Sequence, residues 1–173
     1  MIVLGIDPGY ATIGFGLVDC ERGTNRLLQY GTINTPAGLP LSQRLLQIHN
    51  DLNQLLDAFH PDEAAVEELF FSTNITTGIA VAHGRGVILL SLEKFGVPVY
   101  EYTPIQVKQS VAGYGKATKK QVQLMTQRIL RMESIPRPDD AADALALAIC
   151  HGRAATSLIN RERSFDPKQY STN

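Results

Sequence analysis

The stretch Ile2-Val3-Leu4-Gly5-Ile6-Asp7-Pro8-Gly9 constrains this chain more than any other. A short apolar run near an N-terminus reads as a buried central strand, and Pro8-Gly9 ends it. Asp7 stands where that strand leaves the core. A carboxylate there is costly unless it is paired, hydrogen-bonded or bound to a cation. Two readings fit: a turn former ahead of Pro-Gly, or a ligand presented on a rigid strand. The other acids of the chain have to decide between them.

In chain order, Thr12–Cys20 and Arg26–Asn34 read as strands joined by a turn at Glu21–Asn25, which completes an antiparallel meander. Alternation puts Leu28, Tyr30, Thr32 and Asn34 on one face of the third strand. Leu41, Leu45, Leu46, Ile48, Leu52, Leu55, Leu56 and Phe59 recur at helical spacing, so Leu41–Phe59 is expected to be an amphipathic helix that stops at His60-Pro61. Glu63–Glu68 reads as a crossover strand returning to the sheet. Gly78–Phe95 reads as a helix apolar on most sides, buried within the chain or against another chain; Gly84 and Gly86 favour close packing there.

Gly96–Tyr102 is the next strand, with Pro98 placing it near an edge or at a strand start. Thr103-Pro104 opens a helix to Ala112. Gly113–Ala117 is a basic loop carrying Tyr114. Thr118 caps a helix from Lys119 to about Met132, with Val122, Met125, Ile129 and Met132 inward. The last helix runs from Asp140 to about Ala154, with Asp139 as its N-cap. The expected architecture is α/β with a mixed five-stranded sheet. It forms one domain over residues 1–156, and residues 157–173 are a polar, flexible C-terminal tail.

Composition excludes some classes and admits others. No apolar run is long enough to span a bilayer, and the N-terminus lacks a basic segment before its apolar run, so a cytoplasmic protein without membrane contact is expected. Cys20 and Cys150 are far apart and read as buried free thiols, outside any metal-type pair. The net charge of −1 conceals a strong asymmetry. Residues 104–138 carry Lys108, Lys116, Lys119, Lys120, Arg128, Arg131 and Arg137 against Glu133 alone, whereas residues 1–103 carry five basic and eleven acidic residues. A basic segment beside an acidic remainder suits a protein that grips phosphates and also holds cations among carboxylates. A solvated helical face is the plainer meaning of the same run.

The acids then group. Asp7 and Glu67 both end apolar strands, and if those strands are neighbours their carboxylates meet at one end of the sheet. Alternation says only that Glu67 and Glu68 face opposite sides. Asp140 and Asp143 share a helix face, and Asp139 also lies one turn from Asp143. That face is otherwise alanine (Ala141, Ala142, Ala144, Ala146 and Ala148), which lets the helix approach a sheet closely. Acids in a first helical turn are favoured by its dipole, but the dipole does not explain acids at the ends of two separate strands. Hard oxygen ligands suit Mg²⁺ or Mn²⁺. Two such ions held together can activate a water and stabilise the leaving oxygen in phosphodiester hydrolysis. His49, His60, His83 and His151 have no ligand spacing and read as structural, cap or surface residues.

At this point several stretches carry a resemblance: Leu4-Gly5-Ile6-Asp7-Pro8-Gly9, Ala65-Val66-Glu67 with Phe70, Ala82-His83-Gly84-Arg85-Gly86-Val87, Gln106-Val107-Lys108-Gln109, and Asp140-Ala141-Ala142-Asp143-Ala144-Leu145-Ala146. In this order and spacing the chain resembles the RuvC-type Holliday-junction resolvases, over all but the tail after about Ser157. The resemblance implies a ribonuclease H-like fold and paired, symmetric nicking of four-way junction DNA in recombination and repair. It implies two Mg²⁺ ions per active site (Mn²⁺ is also possible) held by four catalytic acids at Asp7, Glu67, Asp140 and Asp143. The family register selects Glu67 over Glu68 and Asp140 over Asp139. It places Lys108 and Lys119 near the scissile phosphate, with Lys116 and Lys120 as further DNA contacts from the basic segment. Phe70 matches an aromatic lying against bases near the crossover; a core phenylalanine is its plainer reading. The family is dimeric, which makes the apolar helix around Gly84-Arg85-Gly86 the candidate interface, and a branch-migration helicase complex is an implied partner. The rival readings are another ribonuclease H-like nuclease acting on RNA, a non-catalytic junction-binding module, and an actin-like nucleotide binder. The last of these would need further glycine-rich phosphate turns and a longer, two-lobed chain.

Overall fold

A computed structural model of the chain describes residues 1–69 and 75–157. The apolar run at the N-terminus forms β1 (Ile2–Asp7), whose Val3, Leu4 and Ile6 are fully buried. β2 (Thr12–Glu21) and β3 (Thr24–Asn34) follow as the antiparallel meander. α1 (Leu41–Phe59) has the bounds that its periodicity predicts, and it stops where His60 adopts a left-handed φ of 44° ahead of Pro61. β4 (Glu63–Glu67) returns parallel to β1. α2 (Ile75–Lys94) then leads to β5 (Val99–Tyr102), parallel to β4. The chain ends in α3 (Pro104–Ala112), α4 (Lys119–Ile129) and α5 (Asp139–Thr156). The expected mixed five-stranded sheet is present, in the order β3-β2-β1-β4-β5.

Strand alternation divides the core into two layers. Leu4, Ile6, Ile13, Leu17, Ala64 and Val66 pack with Ile48, Leu52 and Leu56 of α1 and Ile88 and Leu92 of α2. Val3, Val18 and Ala65 face the other way, toward α5 and its neighbours α3 and α4. On that side the helix lies directly on the strands. A Cβ added at Gly5 would sit 1.9 Å from the Ala144 carbonyl oxygen, and one at Gly14 would sit 2.0 Å from the Asp140 carbonyl oxygen. Only hydrogen at those two positions admits the α5 backbone. The alanines that α5 turns toward the sheet, Ala141, Ala144 and Ala148, are fully buried.

Four local expectations need correction. First, Leu28 and Tyr30 do not share a face. A bulge opposite Leu17 and Val18 inserts one extra residue into β3 and breaks the alternation, so Leu28 joins the α1 side and Tyr30 the α5 side. Second, Asp139 is not the N-cap of α5. Pro138 occupies that position without a side-chain cap, and Asp139 is the first helical residue. Its carboxylate instead accepts from Gln123 Nε2 at 3.0 Å and Arg137 Nη1 at 2.7 Å, stronger partners than a local amide. Third, α4 stops at Ile129 because Arg131 takes a left-handed φ of 53°, although Met132 still packs against the core. Fourth, β5 begins only at Val99, since Pro98 has no N–H to give the ladder; its carbonyl accepts from Ala64 N–H at 2.9 Å.

Two of the four histidines have structural partners. His49 joins α1 to α2 through Ser91 Oγ at 2.8 Å. His151 is buried between Tyr102 Oη at 2.7 Å and Glu63 Oε2 at 2.5 Å. Cys20 and Cys150 are free and buried, as expected. Among the described residues no helix is long and apolar enough to cross a membrane. Phe70 lies outside the described residues, as does the tail beyond Ser157.

The close approach of α5 gives a direct test. Gly5→Ala forces a methyl into the Ala144 backbone and is expected to cost about 1–3 kcal/mol of stability, the usual range for overpacking. Thermal unfolding measures it, and an unchanged Tm would contradict the backbone-on-backbone contact.

Candidate active site

The parallel register of β1 and β4 pairs Ile6 with Val66, so the next residues, Asp7 and Glu67, leave the sheet side by side. Both lie in alternation with Val3 and Ala65, which face α5, and so both carboxyls turn toward that helix. Glu68 falls on the opposite side. It is exposed and borders a separate groove with Leu69, Arg85 and Glu101. Geometry therefore distinguishes Glu67 from Glu68, which the spacing of residues leaves open.

α5 contributes the remaining acids from its first turns, held over the strand ends by the Gly5 and Gly14 contacts. Asp7 hydrogen-bonds to Glu67 and feels the charges of Asp143 and Asp140. Asp139 points elsewhere, to Gln123 and Arg137. The structure thus brings Asp7, Glu67, Asp140 and Asp143 together from three elements that are distant in sequence.

This cluster is short of positive charge. Burial, then the neighbouring Glu67, Asp143 and Asp140, push the Asp7 carboxyl from its ordinary 3.8 up to about 8. Burial also raises Glu67, against the lowering effects of its hydrogen bond with Asp7 and of Lys119. Burial raises Asp143 too, although the Lys119 hydrogen bond opposes it. Three carboxyls raised together by burial and neighbouring charge are the kind of perturbation that marks a candidate functional site.

Glu67 and Asp143 line a cavity of about 210 Å³ together with Lys108, Lys119, Val107, Val122, Ala146 and Leu147. The lysines form its basic side and the aliphatic groups its floor. Lys119 Nζ lies 2.8 Å from Asp143 Oδ2 and 3.6 Å from Asp139 Oδ2. Sequence reasoning assigns Lys119 to phosphate; here its direct partners are carboxylates. Lys116 and Lys120 are exposed and do not border the cavity. Gln123 is the residue that sequence reasoning misses. It is buried on α4 and holds Asp139. The available signal was its spacing: Lys119 and Gln123 are one turn apart, so both face α5.

Among the described residues no three acidic, histidine or cysteine side chains form a ready-made metal cage. The fit to a cation rests on other features. The donors are all oxygen, burial and neighbouring negative charge raise the carboxyls of Asp7, Glu67 and Asp143, and a lysine ammonium supplies positive charge at Asp143. Oxygen donors of this kind suit a hard divalent ion.

Residues 3–151 match the family described as crossover junction endodeoxyribonuclease RuvC. A protein of that name from Brevibacillus brevis is 56% identical over 153 residues, covering 88% of this chain and 92% of that one. Another, from Chloroflexus aggregans, is 53% identical over 158 residues, covering 91% and 96%. Among solved structures, T. thermophilus RuvC in complex with Holliday junction substrate matches with a TM-score of 0.86 at 39% identity, over 90% of this chain and 95% of that one. The yeast mitochondrial Holliday junction resolvase shares the fold at 14% identity, with a TM-score of 0.64.

The raised Asp7 predicts a pH dependence of the cation-free protein. Below the ordinary value of 3.8 the carboxyl is neutral whether the chain is folded or not. As pH rises toward about 8, only the unfolded chain ionises freely, so stability is lost through that window. Asp7→Asn is expected to flatten this fall and to stabilise the cation-free protein at pH 8 by about 1–3 kcal/mol. Thermal unfolding in a chelator from pH 5 to pH 9 measures it; parallel curves for the two proteins would contradict the electrostatic account.

Proposed function

The chain belongs to the RuvC family of crossover junction endodeoxyribonucleases, and on that premise we propose that it resolves four-way DNA junctions by hydrolysing one phosphodiester bond in each of two symmetric strands. Its ribonuclease H-like fold is the family's. The convergence of Asp7, Glu67, Asp140 and Asp143 at one end of the sheet carries the mechanistic reading. The match over residues 3–151 favours this reading over a nuclease acting on RNA, and the four acids favour it over a non-catalytic binding module.

In this proposal the four carboxylates hold two divalent ions, Mg²⁺ or Mn²⁺. When bound, such ions lower the pKa of a water and offset charge on the leaving oxygen. The chain's own groups do the rest. Asp7 hydrogen-bonds to Glu67 and feels the charges of both helix acids, so it would be the central ligand of the set. Lys108 and Lys119, at the basic side of the cavity, draw in the scissile phosphate and fix its position. The floor of Val107, Val122 and Leu147 keeps bulk water from the reacting face. Lys116 and Lys120, on the exposed surface, hold the phosphate backbone further out. Phe70 follows Glu67 by three residues in the sequence, and its proposed role is to stack on bases at the crossover.

Two cuts related by a two-fold axis call for two sites related in the same way, which a C2 dimer provides. The surface of α2 supports that reading. Ile79, His83, Gly86 and Leu90 are all exposed and recur at the spacing of a single helix face, and Ile79 and Leu90 are 51% and 58% exposed. Gly86 faces open space, whereas a Cβ at Gly84 would lie 2.4 Å from the Gly9 carbonyl oxygen. Gly84 therefore serves packing within the chain, and the interface role falls to Gly86 alone. A branch-migration helicase complex is proposed as a further partner, and a cytoplasmic location fits a DNA substrate.

On synthetic four-way junctions with Mg²⁺, the wild type is expected to cut in preference to linear duplex and RNA. Asp7→Asn should bind the junction normally and lose at least about 100-fold in cleavage rate. Retained cutting by purified Asp7→Asn would overturn the assignment of the acids. Gly86→Glu is expected to weaken dimerisation in sedimentation equilibrium; equal association of mutant and wild type would remove α2 as the interface.

A further inference from the structure

Asp139 lies outside the proposed catalytic set, yet the structure fixes it closely. Its Oδ1 accepts from Gln123 Nε2 at 3.0 Å and from Arg137 Nη1 at 2.7 Å. Gln123 is buried, so Asp139 is anchored against the body of α4. Its Oδ2 already pairs with Lys119, whose Nζ lies 3.6 Å away. The same ammonium is 2.8 Å from Asp143 Oδ2. Lys119 thus stands between two carboxylates, one of which borders the cavity while the other does not.

We propose that Asp139 is a positioning residue that receives the Lys119 ammonium when a divalent cation takes Asp143. The proposal rests on the reading of the acid cluster as a cation site. A carboxylate that donates its lone pairs to an ion cannot keep the same contact with an ammonium, so Lys119 and the cation compete for Asp143. A lysine has a flexible four-carbon stem and three donors, and its second acceptor is already within reach. Movement to Asp139 needs only a small side-chain shift and keeps the charge at the rim of the cavity, where a phosphate would meet it. In the cation-free protein Lys119 is a resident counter-ion; in the loaded one it is a phosphate-facing group held by Asp139. Gln123 and Arg137 keep Asp139 from turning into the cluster itself.

The test uses the full-length protein without DNA and Ca²⁺ as the probe, read by isothermal titration. The variants are Asp139→Asn, Lys119→Met, their double mutant, and Asp7→Asn as the site control. Asparagine keeps the Oδ1 acceptor for Gln123, and both altered side chains are substantially exposed, so circular dichroism should show folded proteins throughout. Lys119→Met is expected to tighten Ca²⁺ binding about 3–10-fold and Asp139→Asn to weaken it about 3–10-fold. In the Lys119→Met background, Asp139→Asn should change affinity by no more than about two-fold, the direct effect of one exposed charge. Asp139→Glu, which keeps the charge, should restore near wild-type affinity. An equal effect of Asp139→Asn in both backgrounds would overturn the positioning role while leaving the cation site intact. Absence of Ca²⁺ binding that depends on Asp7 would overturn both.

Discussion

Everything at the proposed active site depends on one contact, the α5 backbone resting on β1 and β2. It exists because Gly5 and Gly14 offer no side chain and because α5 answers with alanine. Ordinary helix-on-sheet packing interposes a layer of side chains, and a helix at that distance would leave Asp140 and Asp143 too far from the strand ends to act with Asp7 and Glu67. Removing that layer brings the helix's first turns to the carboxyl ends of the parallel pair β1 and β4. The glycines and alanines thus set the distance, and the acids use it.

That arrangement sets stability against function. Buried carboxyls that raise one another's pKa are a cost to the folded chain when no cation is present. The protein meets part of the cost internally. Asp7 and Glu67 share a hydrogen bond, and Lys119 is paired with Asp143. Neither removes the excess negative charge, which the proposed cations would offset. Burial elsewhere compensates, through the two apolar layers on either face of the sheet.

Much of this was legible in the residues. The period of 3.6 in Leu41–Phe59 gives α1 its observed bounds, and Thr103 and Thr118 each form the capping box that starts α3 and α4. The meeting of Asp7 with Glu67 follows from two apolar strands that each end in acid. What could not be read required tertiary partners. The bulge that separates Leu28 from Tyr30 leaves no mark in alternation. Asp139 has the composition of a cap, but Gln123 and Arg137, brought in by folding, outbid the local amide. The resemblance places Lys119 near the scissile phosphate, and its ion pair with Asp143 becomes visible only once α4 and α5 are brought together. Gly84 and Gly86 look alike in sequence, yet one packs on Gly9 and the other faces open space.

The central claim is that four carboxylates from β1, β4 and α5 act as one centre for two divalent ions. Anomalous diffraction from crystals of the protein grown with Mn²⁺ and a junction bearing a non-cleavable phosphate tests it most directly. The account predicts two manganese peaks in each protomer, with Asp7 contacting both and Glu67, Asp140 and Asp143 completing the ligands. Peaks that avoid Asp7, or ions bound outside this cluster in a complex that still cuts the natural junction, would contradict it.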